Sequence, residues 1–310
     1  MTSVGLIGYG GIAQDVVAAL RNAGGGTKIV GVLCRPGRAA KARAALGDIV
    51  VVESLADLLA LRPDIVAEVA GQQAVAEHGP DVLRRGFDLL VISVGALADP
   101  ALFDRLKTAA REGKSRMQLP AGAIGGIDAI AAMRVGGLTT VRYRSRKPPA
   151  AWRGSPAEKV ADLDKLTGRT VLYRGTAGEA ALLYPQNANV AAAVALAGLG
   201  FEKTEVELVA DPDAPGNVHE IEAEGAAGRF AIQLQGKPSR SNPKTSALAA
   251  LSVARALINL DATIVICPPR RAEPPTPLSA ARSSGSRICA FSPGAANTPT
   301  ISRTKKCCMR

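Results

Sequence analysis

Aromatic residues, histidines and long apolar runs are all scarce in this sequence. Phe, Trp and Tyr make up 3% of its 310 residues while hydrophobic residues reach 47%, so Ala, Val, Leu and Ile must fill the core. No apolar run reaches the roughly 18 residues of a membrane-spanning helix, and the amino terminus MTSVGLIGYG lacks the basic segment of a signal peptide. We therefore expect a cytoplasmic protein with no membrane partner.

Cysteine is almost absent before residue 267. Cys34 stands alone in that part of the chain, and the remaining cysteines all lie in residues 267–310. A single cysteine forms no disulfide framework, which is typical of proteins from a reducing compartment. No spacing of Cys, His, Asp or Glu indicates a metal site, so we expect no metal.

Residues 267–310 also carry most of the positive charge. They hold eight Lys and Arg against one Glu, in a chain of net charge +11, and they are rich in Pro and Ser. Because this segment has neither helical nor strand periodicity, it is predicted to be a disordered basic tail. It lacks interleaved aromatic residues, so we expect no nucleic-acid partner. Nucleic-acid binding through the tail is kept as an alternative.

Apolar strands alternate with helices over residues 1–120. The strand-like stretches are SVGLIG, KIVGVL, DIVVVES, PDIVAEVA and DLLVISVGAL, and helical patterns separate them. Strands that are apolar on both faces and joined by helices are typical of a parallel sheet with helices on each side. The pattern predicts an α/β fold with an N-terminal Rossmann-type doubly wound parallel sheet, which we interpret as a dinucleotide-binding domain.

The pattern changes after residue 120. The stretches TTVRYRSRKP, GRTVLYRG, TEVELVADP, NVHEIEAEG and GRFAIQLQG alternate as half-buried strands do, and the last two flank a short turn. They predict a C-terminal α+β domain with a mainly antiparallel sheet over residues 121–243. A helix and a strand that pack back on the body are predicted for residues 244–266.

A glycine-rich turn follows the first strand and opens the first helix. Gly8, Gly10 and Ala13 give the pattern G-x-G-x-x-A in VGLIGYGGIA. Gly8 permits the tight turn, Gly10 lets the backbone approach a pyrophosphate, and Ala13 keeps helix and strand close. The helix start at Gly11 and Ile12 offers unpaired N–H groups to the phosphates. The motif predicts binding of NAD or NADP, with an ordinary strand-to-helix turn as the alternative.

The end of the second strand bears on the choice between NAD and NADP. Sites that prefer NAD place Asp or Glu there for the ribose 2′-hydroxyl, whereas this chain has Cys34-Arg35-Pro36, with Arg38 nearby. Arg35 is therefore a candidate to bind the 2′-phosphate of NADP. The alternative is that Arg35 is merely solvated, so both cofactors stay open.

Ala123 and Asn189 are candidates for the nicotinamide end of the cofactor, and Glu68 is a candidate to contact a ligand. Ala123 lies in LPAGAIGGIDA at the expected domain junction, where small residues allow the ring to come close. Asn187 and Asn189 lie at a helix start in YPQNANVAAA, and either one caps the helix or binds the carboxamide, since an Asn side chain both donates and accepts. Glu68 ends the fourth strand, where an open sheet binds ligands.

His219 is one of two histidines and lies in the alternating run PGNVHEIEAEG. In a strand it shares a face with Ile221 and Ala223, where a lone histidine usually makes a structural hydrogen bond. A dehydrogenase, however, needs a group that titrates near neutral pH to move the proton that accompanies hydride transfer. His219 is therefore the candidate catalytic residue, whereas His78 belongs to a helical stretch.

Several separated stretches together resemble the L-aspartate dehydrogenase family. They are VGLIGYGGIA, LPAGAIGGIDAI, RKPPAAWRGSPAEK, YPQNANVAAAVALAGLG, GNVHEIEAEG and NPKTSALAALS, within residues 3–266. The resemblance implies a catalytic domain that forms a homodimer. It implies NAD(P)-dependent oxidation of L-aspartate to iminoaspartate, which hydrolyses to oxaloacetate and ammonia, the reverse reductive amination, and a contribution to NAD biosynthesis. By resemblance His219 is catalytic, and Ala123 and Asn189 contact the cofactor.

The residues that bind the substrate are less defined. Lys147, Arg153 and Lys244 lie in the matching stretches and are candidates to bind the two carboxylates of aspartate. Two other functions stay open: an NAD(P)H-dependent reductase of a related imine or semialdehyde, and a regulator that binds NAD(P) without turnover. The tail has no counterpart in the family.

Overall fold

The computed structural model describes residues 1–185, 188–239, 241–242 and 245–266. A six-stranded sheet, sheet A, is built from β1 (Ser3–Ile7), β2 (Lys28–Leu33), β3 (Val51–Val52), β4 (Ile65–Glu68), β5 (Asp88–Val91) and β6 (Met117–Gln118). All neighbouring strands are parallel, in the order β3-β2-β1-β4-β5-β6. The order reverses between β1 and β4, so the carboxyl ends of these two strands mark the usual ligand-binding edge.

Helices flank both faces of sheet A. They are α1 (Gly11–Ala23), α2 (Ala39–Leu46), α3 (Leu55–Ala60), α4 (Gln72–Arg84) and α5 (Pro100–Gly113). The α1 helix buries Ala13, Val16, Val17 and Leu20, which recur at helical spacing and form one apolar stripe. The side chain of Asp99 caps α5 by accepting hydrogen bonds from the N–H groups of Ala101 and Leu102. The predicted doubly wound parallel sheet is confirmed.

The second sheet, sheet B, has five strands in the order β11-β10-β7-β9-β8. Its strands and the helices that accompany it are α6 (Ile127–Gly136), β7 (Leu138–Lys147), β8 (Thr170–Thr176), α7 (Ala177–Leu183), α8 (Ala188–Ala197), β9 (Glu205–Ala210), β10 (Asn217–Gly225), β11 (Gly228–Gly236) and α9 (Ala247–Ile258). Every pair is antiparallel except β7 with β9. The mainly antiparallel sheet and the β10–β11 hairpin are therefore as predicted.

The chain after sheet B differs in part from the prediction. The expected helix is α9, but residues 259–266 contain no strand. Asp261 instead accepts hydrogen bonds of 2.7 Å from the backbone N–H and the hydroxyl of Thr2, which holds this segment in a turn beside the start of β1. The predicted disordered tail, residues 267–310, lies outside the described residues, as does Lys244.

The alanine-rich helix α8 joins the cores of the two sheets. Ala191, Val194 and Ala195 pack in the cluster under sheet B, whereas Ala192 and Ala193 pack in a cluster under sheet A. Small side chains on all sides let α8 approach both layers closely, and this places its first turn beside the carboxyl edge of sheet A. In the described part of the chain, no helix has the length and apolar character needed to cross a membrane.

Candidate active site

A cleft of about 110 Å³ lies between the carboxyl edge of sheet A and the inner face of sheet B. One side is formed by the first turn of α1 and the loops after β5 and β6, and the other by the end of β7 and the starts of β10, α8 and α9. The polar and ionisable side chains that line it, among the described residues, are Lys147, Asn189, Asn217, His219, Thr245 and Ser246.

The glycine turn has the geometry that a dinucleotide needs. Gly8 has a φ of +107°, and a Cβ there would come within 2.7 Å of the Ala70 Cβ, so only glycine fits. A Cβ on Gly10 would meet nothing within 4 Å, which leaves open space beside the backbone. No side chain caps the α1 amino terminus, so its first N–H groups remain available to a phosphate. The residues present therefore fit a bound pyrophosphate.

The loop after β2 lies directly beside this turn, because the Gly8 N–H donates to the Leu33 carbonyl at 2.9 Å. Cys34 is buried and Arg35 is exposed. Glu53, which follows β3, contacts this loop: its Oε1 accepts from the backbone N–H groups of Gly37 and Ala39. Arg35 thus follows the strand whose carboxyl end contacts the glycine turn.

Glu68 is completely buried, and its carboxylate is hydrogen-bonded to two loops rather than available to a ligand. Its carboxylate accepts from the backbone N–H groups of Ala70 and Gly71, both at 2.7 Å, and from the N–H and hydroxyl of Ser93 at 3.1 and 3.0 Å. Burial raises the pKa of this carboxyl, and the four donors oppose that rise. Glu68 therefore ties the loop after β4 to the loop after β5, at the edge of the cleft.

Ala123 and Asn189 both line the cleft, whereas Asn187 lies outside the described residues. The Oδ1 atom of Asn189 accepts a 3.0 Å hydrogen bond from the Gly95 N–H, which fixes the orientation of the amide. Its NH₂ group is then the part that can donate to a carboxamide oxygen. Gly122, next to Ala123, donates its N–H to the Ser252 hydroxyl at 3.1 Å, so α9 supports this wall.

His219 lies on β10 with its imidazole on the inner face of sheet B, 4% exposed. Its Nδ1 atom is 2.8 Å from the Tyr143 hydroxyl of β7, which leaves Nε2 for a ligand. Burial, and then the nearby charge of Lys147, lower the pKa of His219 to about 4. The imidazole is therefore neutral at neutral pH and able to accept a proton.

Known proteins match both halves of the chain. A family model described as aspartate dehydrogenase, C-terminal, matches residues 128–260, and one described as homoserine dehydrogenase, NAD binding domain, matches residues 8–120. An L-aspartate dehydrogenase of Ruegeria pomeroyi is 50% identical over 261 residues, which are 84% of this chain and 93% of that protein. The chain belongs to the L-aspartate dehydrogenase family. The resemblance seen in the sequence is thereby confirmed.

A second L-aspartate dehydrogenase and two solved structures are also similar to this chain. An L-aspartate dehydrogenase of Ralstonia nicotianae is 57% identical over 198 residues, which are 64% of this chain and 74% of that protein. The crystal structure of an aspartate dehydrogenase from Thermotoga maritima superposes with a TM-score of 0.68 at 26% identity, and covers 86% of this chain and all of that one. An archaeal homoserine dehydrogenase in complex with NADPH has the same fold, with a TM-score of 0.53 at 12% identity, covering 81% of this chain and 96% of that one.

Of the three candidate substrate cations, the two that the structure describes lie in different places in this aspartate dehydrogenase family member. Lys147 lines the cleft. Arg153 does not: its side chain is 61% exposed and pairs with Asp164 in the loop that follows β7. The motif placed Arg153 near the site, but the chain turns outward after Trp152 and brings a carboxylate to it. Lys244 lies outside the described residues.

The sequence patterns did not point to Asn217, which lines the cleft, or to Tyr143, whose hydroxyl contacts the His219 ring. Along β7, Tyr143, Ser145 and Lys147 alternate with Arg142, Arg144 and Arg146, so the two sets face opposite sides of the sheet. Ser145 lies directly opposite His219 in the β7–β10 register. The alternation in VRYRSRK was the available signal, because Tyr, Ser and Lys occupy every second position between arginines.

Proposed function

We propose that this chain catalyses the NAD(P)-dependent oxidation of L-aspartate to iminoaspartate, with release of oxaloacetate and ammonia, and the reverse reductive amination. The observation that carries the proposal is a single cleft that holds a neutral, buried imidazole and the Asn189 amide, with the first turn of α1 at its edge. The imine is further proposed to supply NAD biosynthesis.

The residues of sheet A and its loops hold the cofactor in this proposal. Gly8, Gly10 and the α1 amino terminus bind the pyrophosphate, and Arg35 reaches the adenine ribose. Ala123 and the Asn189 amide position the nicotinamide end. When bound, the nicotinamide ring accepts the hydride from the α-carbon of aspartate.

His219 acts on water in this mechanism. In the tautomer that can serve as a base toward the cleft, Nδ1–H donates to the Tyr143 oxygen and Nε2 carries the lone pair. Nε2 takes a proton from the water that attacks the imine carbon, and the imidazolium returns it to the departing amine. Tyr143 is a positioning residue, because it holds the ring in the tautomer that this step requires.

Replacing Tyr143 with Phe is expected to lower kcat about tenfold, because a tenfold change corresponds to the free energy of about one hydrogen bond. The affinity for NADPH is expected to stay unchanged. The buried Nδ1 atom loses its partner, so the productive tautomer is no longer favoured. Steady-state kinetics and NADPH fluorescence titration measure the two effects. Tyr173→Phe is the matched control, because its hydroxyl contacts Glu179 and the Thr176 carbonyl away from the cleft. Equal rates for the two variants contradict the role of Tyr143.

A spectrophotometric assay with aspartate and either NAD or NADP tests the function directly. Reduction of cofactor that depends on aspartate supports the proposal, and the role of Arg35 requires kcat/KM with NADP to be at least equal to that with NAD. Cofactor binding without turnover supports a sensing regulator instead. Turnover with a related imine or semialdehyde, but none with aspartate or oxaloacetate plus ammonia, supports a reductase of another substrate.

A homodimer and a cytoplasmic location are part of the proposal. Cys34 is a free buried thiol, which suits a reducing compartment. The outer face of sheet B is exposed and carries rows of opposite charge, with Arg142 and Arg144 of β7 each 2.7 Å from a Glu of β9. Two copies can bring such rows together about a two-fold axis. Light scattering after gel filtration is expected to give twice the chain mass, and a monomer contradicts it.

A further inference from the structure

Oxidation of an amino acid requires two separate proton acceptors or a single one used twice. The substrate enters as an ammonium ion, and its nitrogen must lose one proton before its lone pair can form the C=N bond as hydride leaves. A second proton is removed later, from the water that adds to the imine carbon. A general base must lie within hydrogen-bond distance of the proton that it removes, so we expect both acceptors to line the cleft.

Two ionisable side chains line the cleft in the described part of the chain, Lys147 and His219, and no described carboxylate does. They lie on neighbouring antiparallel strands, with Lys147 two residues beyond Ser145, which is the partner of His219 in the register. Both therefore face the cleft from the same face of sheet B. Two proton acceptors with separate positions are thus available to one ligand.

Burial favours the neutral form of Lys147. Its Nζ lies 5.3 Å from the ring centroid of the fully buried Trp152, a contact that favours the ammonium, so the effect of burial is the larger one. Tyr143 is the titratable neighbour on the same face of β7, and His219 is the one on β10. Directly after β9, the carboxylate of Asp211 accepts hydrogen bonds from Arg146 and Arg169. Burial lowers the pKa of Lys147 to about 8.

We propose that Lys147 is a second catalytic residue, which receives the proton of the substrate ammonium before hydride transfer, while His219 serves the water that attacks the imine. The inference rests on the proposed oxidation of aspartate. Pairs of titratable groups whose environments separate their proton affinities are the usual way in which an enzyme divides acid and base work. The cationic fraction of Lys147 also attracts the carboxylates of the substrate into the cleft.

Every proton and electron pair that the substrate loses has an acceptor in this mechanism. Neutral Lys147 takes one proton from the α-ammonium, and the amine nitrogen becomes uncharged. The hydride leaves the α-carbon with its electron pair, and the nitrogen lone pair forms the C=N bond of an iminium. Water adds to that carbon as His219 removes its proton, and His219 then returns this proton to the nitrogen. The amine leaves as ammonia while His219 takes the proton of the carbinol hydroxyl, which forms the ketone, and that proton passes to the ammonia to give ammonium. Lys147 then releases its proton to solvent, which is the proton that accompanies the reduced cofactor.

The test is the pH profile of kcat/KM for aspartate in the full-length wild type, Lys147→Met and Lys147→Arg. The wild type is expected to rise with pH and to level above about 8. In Lys147→Met this inflection disappears and kcat falls about 10²-fold or more. A His219→Asn variant keeps the inflection near pH 8 at a much lower plateau, because His219 titrates near pH 4.

The arginine variant separates proton transfer from simple charge. A guanidinium keeps the positive charge but does not release a proton in this pH range, so Lys147→Arg is expected to retain the KM for aspartate and lose kcat about 10²-fold. A Lys147→Arg enzyme with near wild-type kcat overturns the proposal and leaves Lys147 as a carboxylate-binding charge. NADPH titration and thermal unfolding of each variant verify that it is folded.

Failure of this inference is distinct from failure of the proposed function. A wild type that does not turn over aspartate overturns the function, and the role of Lys147 with it. An active wild type whose inflection near pH 8 survives in Lys147→Met overturns the role of Lys147 alone. Rescue of a Lys147→Ala variant by added methylamine, with a rate that grows with the concentration of the free amine, is the further result expected.

Discussion

The His219→Ala variant is expected to lose about 10²–10⁴-fold in kcat for aspartate while it binds NADPH as the wild type does. The imidazole is the neutral base of the cleft, and Ala offers the attacking water no acceptor. The ring lies on the inner face of sheet B, whereas the pyrophosphate is proposed to bind at the start of α1, so the loss concerns kcat rather than cofactor affinity. Steady-state assays and fluorescence titration of NADPH measure the two quantities.

The control for this variant is His78→Ala. His78 is the other histidine of the chain, and it lies on α4, where its Nε2 is 3.6 Å from Glu77. It does not line the cleft, so its replacement should leave kcat within twofold of the wild type, about 0.4 kcal/mol or less by the usual conversion. Near-normal turnover by His219→Ala removes the assignment of His219 as the catalytic base.

The Glu68→Ala variant is expected to lower the free energy of unfolding by about 3 kcal/mol or more. The wild-type carboxylate receives four hydrogen bonds in a fully buried position, and its removal leaves the N–H groups of Ala70, Gly71 and Ser93 without acceptors. Each such group costs about 1–3 kcal/mol. Urea unfolding followed by circular dichroism measures the change.

Glu53→Ala is the matched comparison for Glu68. Glu53 also accepts two backbone N–H groups, those of Gly37 and Ala39, but it is exposed, so water can replace it. Its loss is expected to cost about 1 kcal/mol or less. If both variants lose the same stability, burial is not what makes the Glu68 carboxylate important, and the role given to it as the tie between two loops is wrong.

The local sequence pattern was sufficient to predict those parts of the fold that are determined by residues close together in the chain. Sheet A follows from apolar runs separated by helices, and sheet B from alternation. The glycine turn was recognisable because Gly8, Gly10 and Ala13 each meet a requirement that is set within a few residues. The β10–β11 hairpin was predictable for the same reason, since its strands adjoin a short turn.

The rest of the site depends on residues that are distant in sequence. The hydroxyl that contacts His219 belongs to Tyr143, 76 residues earlier, and only the pairing of β7 with β10 brings the two together. Glu68 was a candidate to contact a ligand, but its carboxylate accepts hydrogen bonds from its own loop and from Ser93, 25 residues later. Arg153 was expected at the substrate because of its motif, although a carboxylate 11 residues further on pairs with it.

The packing of α9 has a consequence for dissecting this protein into pieces. Its residues Val253, Ala254 and Leu257 share one apolar cluster with Val16 and Val17 of α1. The last helix of the described residues, α9, thus covers part of the apolar surface of the first helix, α1. A fragment that ends before Ala247 leaves the α1 stripe open to water, and would be expected to aggregate or melt. The nucleotide-binding half is consequently not an autonomous module, and both ends of residues 1–266 must be made for either to be stable.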